Sequence, residues 1–219
     1  MDQLAGYRAW LPPIAFGLVV AGTAATLWVS QRLELIPPCR VYVDGCSSIS
    51  AVGRHPPASC VFRLTMIPAA VLLMLTWLLV GRWLSELGVA CRPVCRVIGG
   101  VGGVLPLLAI TYILLLGVDA PRLEALKELS IHLYFLVALI IKTVTGALLL
   151  GQAGRNPLGP SHRLAHGLFW LALALLLTGV TGIVLDQTQD DWSRIRNLMQ
   201  WHGTTVYTFW YLLLWQAWR

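Results

Sequence analysis

The sequence predicts an all-α polytopic integral membrane protein, a bundle of six transmembrane helices with a structured first external loop. Three observations predict it. Hydrophobic residues make up 57% of the chain and charged residues only 12%, with a mean hydropathy of +0.71; soluble domains carry about 25% charged residues. Six apolar runs can be read, at roughly 11–30, 62–85, 97–117, 128–150, 163–185 and 199–218, each long enough to cross about 30 Å of hydrocarbon at about 1.5 Å per residue. None of them alternates apolar and polar residues, as the strands of a membrane barrel must. The expectation is one six-helix domain over 1–219.

Taken in order, the first run is longer than a signal-peptide core, and Gln31-Arg32-Leu33-Glu34 follows it instead of a small-residue cleavage site, so it reads as a retained first span. The external loop, 31–61, holds Cys39, Cys46 and Cys60; on an oxidising side a Cys39–Cys46 or Cys46–Cys60 disulfide would brace it. Cys91 and Cys95, in the turn after the second run, read as interfacial cysteines. Pro68 and Pro106 are expected to bend the second and third helices. The small residues of Gly99–Gly103 and of Thr178-Gly179-Val180-Thr181-Gly182 permit close backbone approach in the third and fifth. Lys142 is the one charge deep in a span; no acid lies at its depth, and it is expected to snorkel to the nearer interface, a lipid phosphate being the other role open to it. Trp10, Trp83, Trp192, Trp201, Trp215 and Trp218 fall at run ends, where tryptophan anchors helices at the interface.

Lys and Arg divide almost evenly between the two sides, but those on the terminus side crowd into short loops (Arg82, Arg92 and Arg96; Arg155 and Arg163). Both termini are therefore placed in the cytoplasm. The net charge of +6 suits anionic headgroups; with no basic stripe on a soluble surface, nucleic acid is not an expected partner. Fourteen Arg against two Lys hints at a GC-rich genome and a bacterial inner membrane, a eukaryotic endomembrane or plasma membrane being the other location.

The loop carries the most specific pattern. Ser48-Ile49-Ser50-Ala51-Val52-Gly53-Arg54-His55-Pro56-Pro57, followed by Val61-Phe62-Arg63, resembles the first-loop signature of the six-span Frag1/DRAM/Sfk1 family, I-S-x-x-G-x-x-P-P before an aromatic residue that opens the second helix. Ile131-His132 resembles that family's external histidine, and Asn197-Leu198-Met199-Gln200-Trp201 its Asn-x-x-Glu-Trp motif. The chain departs in having Gln200 where the family often has Glu, and no acid at 51 or 52. The resemblance implies a non-enzymatic protein that handles membrane lipids or packs as an accessory subunit against other membrane proteins. His55, His132, Lys142, Gln200, Trp201 and His202 are then the candidates for holding a phospholipid, with Asp44, Glu124, Glu128, Asp186, Asp190 and Asp191 nearby on the same face.

Two other chemistries compete. His132 and His202, on one side of the fourth and sixth helices, could ligate haem b in an electron-transfer subunit; His162 and His166 fall on the opposite side. His55, His132 and His202 with Asp44 or Asp190 could hold zinc in a lipid hydrolase or acyltransferase. No G-x-S-x-G nucleophile motif and no ligand spacing facing that cluster support catalysis, so neither a resident metal nor a catalytic residue is expected.

Overall fold

The computed structural model describes residues 9–155, 159–188 and 192–219, apart from the side chains of 183 and 186–188. All regular structure among them is helical: α1 (Leu11–Arg32), α2 (Val41–Asp44), α3 (Ile49–Val52), α4 (Ala58–Leu87), α5 (Arg92–Val104), α6 (Pro106–Leu115), α7 (Pro121–Gln152), α8 (His162–Thr188) and α9 (Ser193–Ala217). Five membrane-length apolar helices result, with α5 and α6 counting as one span, and they mark the protein as membrane-embedded. α9 is as long as these but is not among the five, because its polar first turns are followed by threonines, tyrosines and tryptophans with few aliphatic residues.

α4, α7 and α8 begin and end further out than their apolar runs, since their flanks stay helical. The third span is interrupted at Leu105, just before Pro106, and α4 is continuous through Pro68. The long helices close a circuit: α1 packs on α4, α4 on α5 and α6, these on α7, α7 on α8, α8 on α9, and α9 back on α1. α1 and α9 are thus neighbours.

Small residues set the tightest seams. A methyl on Gly81 would sit 2.7 Å from the Cys95 carbonyl oxygen and from the Gly99 Cα, so α4 and α5 touch backbone to backbone. Gly102 lies equally close under the Trp77 ring. In the Thr178–Gly182 stretch only the end makes a close approach: Thr178 and Val180 are exposed and Gly179 meets the end of the Leu139 side chain, but a methyl on Gly182 would sit 2.8 Å from the Met199 Cε of α9. The close approach of α7 to α8 is made instead by Gly146, against the backbone of Leu168 and Phe169.

Loop 33–57 is a folded cap. Ser48 accepts the Ala51 amide and so caps α3; Ser30, at the end of α1, donates to the Val52 carbonyl at 2.6 Å. Ile36, Val41, Val52 and Trp201 form a small core beneath it. Cys39 and Cys46 are joined by a disulfide, while Cys60 is a free, exposed thiol on α4, so the Cys46–Cys60 alternative does not form. Gly53 lies directly against the Phe62 ring. Arg63 donates to the Leu116 carbonyl at 2.9 Å, tying the end of the third span to α4.

Candidate functional site

The first turns of α9 hold the loop. Arg194 donates to the Asp44 carbonyl at 3.0 Å, Asn197 to Gly45 at 2.9 Å, Trp201 to Ser47 at 2.9 Å and His202 to Tyr42 at 3.0 Å. These four positions, 194, 197, 201 and 202, recur at the spacing that lines one face of a helix. Gly45, at φ +62°, allows the chain to turn against the Arg194 carbonyl, a place where a side chain would collide. Trp201 is therefore no interfacial anchor: it is 2% exposed and clamps the loop.

Below this clamp a cleft of about 160 Å³ opens between α1 and α9. Val19, Val20, Thr23, Ala24 and Leu27 line it from α1; Trp201, Thr204, Thr205 and Thr208 line it from α9; Tyr42 and Ile49 close the loop end. Tyr42 packs on the Trp201 and His202 rings, each centroid 5.3 Å away, and its hydroxyl meets the Thr205 Oγ1 at 2.9 Å. Val20, Ala24 and Thr205 are exposed, so the cleft opens sideways. None of its lining side chains is charged.

The remaining sequence candidates are dispersed. His132 is exposed on α7, with Nδ1 donating to the Glu128 carbonyl of its own helix at 2.7 Å. His55 is exposed in the loop, and Gln200 is half-buried beside Trp201. Of the acids, Asp44 accepts the Arg40 amide at 2.8 Å and Glu124 pairs with Lys127. Asp190 and Asp191, and the side chain of Asp186, lie outside what is described. Among the described residues no group of three or more His, Cys, Asp and Glu is placed to hold a metal ion. His132 and His202, the haem alternative, are each exposed with one ring nitrogen committed to a backbone carbonyl.

Lys142 overturns the snorkelling expectation. It is fully buried, with Nζ donating to the Tyr207 carbonyl at 2.8 Å. The same nitrogen lies 3.1, 4.1 and 5.0 Å from the ring centroids of Tyr207, Tyr211 and Trp210. Around this nest Trp77 stacks on Trp210 at 5.8 Å, Trp77 donates to the Tyr211 hydroxyl at 3.2 Å, and Tyr207 donates to Tyr134 at 3.0 Å. Inserting a lysine at mid-bilayer costs about 2.5–3.5 kcal/mol on translocon scales. An amine–carbonyl bond of about 1.5–3 kcal/mol and desolvated cation–π contacts of about 2 kcal/mol are large enough to offset that cost. The nearest polar acceptor was thus a carbonyl of α9, and stretching to the interface would forfeit these partners. A fully buried amine is out of reach of a lipid phosphate in this conformation.

Sequence reasoning missed the aromatic nest, whose signal was Tyr207, Trp210 and Tyr211 on one helix with Trp77 and Tyr134 on others. It also missed the cleft, formed because α1 and α9 meet. Compared with known proteins, the chain matches no family model, no curated sequence and no solved structure.

Proposed function

We propose that this is a non-enzymatic, lipid-binding membrane protein whose α1–α9 cleft accepts part of a membrane lipid beneath the disulfide-braced loop. The observation that carries the reading is the cleft itself: an uncharged recess that opens sideways between two long helices, one of them a membrane-length apolar helix. At that depth the competing solvent is hydrocarbon, so an acyl chain is the occupant the surroundings supply. We further propose that α9 is a sixth span, its polar first turns sheltered by the loop they clamp. Both termini then face the cytoplasm, and the Cys39–Cys46 disulfide lies on the oxidising side, where such bonds persist. The proposed likeness to the Frag1/DRAM/Sfk1 family is compatible with this layout: the residues of the resembling loop and of the Asn197–Trp201 motif meet at one end of the bundle.

Ala24→Trp fills the cleft from an exposed position and tests the reading. Phospholipid co-purified per protein, measured by extraction and mass spectrometry, is expected to fall while helical content and the disulfide persist. Unchanged lipid content in a folded variant would overturn it.

A further inference from the structure

We infer, resting on the lipid-binding reading above, that the α1–α9 cleft selects its ligand by an acyl chain and a single ester carbonyl, received at Thr204, and is indifferent to headgroup charge. Thr23 spends its hydroxyl proton on the Val19 carbonyl at 2.8 Å and Thr208 on that of Thr204 at 2.9 Å. Thr205 donates to the Trp201 carbonyl at 3.0 Å, so the Tyr42 hydroxyl must be the donor in its contact with Thr205. The Trp201 indole proton is held by Ser47.

Among the described residues that leaves Thr204, half-buried in the wall, as the lining hydroxyl with no hydrogen bond of its own. A phosphate drawn into this space would lose its hydration and find one neutral donor, where it needs several charge-assisted ones. An ester carbonyl needs one donor and carries an apolar chain on one side. Tyr42, packed on Trp201 and His202, closes the loop end, so the chain enters sideways past Val20 and Ala24. The headgroup then stays outside the cleft and contributes little to affinity.

The test uses the full chain in detergent micelles, with competition against one fluorescent acyl lipid. The competitors are chain-matched diacylglycerol, phosphatidylcholine and phosphatidylglycerol, together with an ether-linked phosphatidylcholine that lacks the ester carbonyls. The three ester lipids are expected to agree within about three-fold, less than the roughly ten-fold that one charge-assisted contact confers. Thr204→Val keeps the side-chain shape and is expected to weaken all three by about two- to ten-fold, the range of one neutral hydrogen bond. The ether lipid should bind wild type as weakly as ester lipids bind the variant, and the variant should not distinguish ether from ester. Binding that follows headgroup charge, or a Thr204→Val variant that binds ester lipids as wild type does, overturns this inference while leaving lipid binding intact. Failure of every lipid to compete on wild type overturns the lipid-binding reading itself.

Discussion

The middle of the bundle and its loop end both put polar groups among apolar ones, and they do so by opposite means. Around Lys142 one amine meets one carbonyl and three aromatic faces, and Trp77, Trp210 and Tyr211 are packed until at most 2% of each is exposed. At the loop end, four side chains of α9 each grip a different carbonyl of a small, disulfide-closed loop, and a cleft remains beside them. The middle therefore combines large buried rings with a few buried hydrogen bonds, while the loop end rests on a small core, a disulfide and four bonds from one helix. A change in the first should cost global stability; a change in the second should cost local order.

The largest effect is expected at Trp210. Its ring stacks on Trp77 and its indole proton goes to the Leu168 carbonyl at 2.9 Å, so Trp210→Ala leaves a void and removes one bond between α9 and α8. A loss of about 3–5 kcal/mol is expected in reversible unfolding from micelles; a loss below about 1 kcal/mol would mean that the middle relaxes freely and that the contrast is misdrawn.

Removing the disulfide with Cys39→Ser and Cys46→Ser should come next. The closed loop is short, with a sequence separation of seven, which limits the chain-entropy contribution to about 2.5 kcal/mol. The cost should appear as faster proteolysis of loop 33–57, with the melting of the helices nearly unchanged. Equal shifts in both would merge the two regions into one cooperative unit. The smallest effect should come from Trp201→Phe, which keeps a ring in the small core and removes the bond to Ser47. About 1 kcal/mol is expected, again read in loop proteolysis; no change in cleavage rate would show that packing alone holds the clamp.

Much of the scaffold was legible because a membrane helix declares itself locally, by length and apolarity, and needs no knowledge of its neighbours. The spans around 62–85 and 128–150, the interruption just before Pro106 and the small-residue seam at Gly99–Gly103 are of this kind. The meeting of the first loop with Asn197 and Trp201 was also legible, since both fall at one end once the helices alternate direction. What failed depended on rotation about a helix axis: Lys142 turns inward to the Tyr207 carbonyl, an orientation that depth along the helix does not fix. The partners of Lys142 are a backbone carbonyl and aromatic faces, which carry no charge for a sequence to display. The cleft depended on ring closure between α1 and α9, a long-range fact that no local pattern carries.

The address of Lys142's partner also bears on how the protein is made. Tyr207, whose carbonyl receives the amine, is 65 residues further along the chain. At synthesis rates of about 5–20 residues per second, α7 leaves the ribosome several seconds before α9 exists to receive it. During that interval the amine lacks the carbonyl that receives it in the finished fold, and α7 carries an uncompensated cost of about 2.5–3.5 kcal/mol on translocon scales.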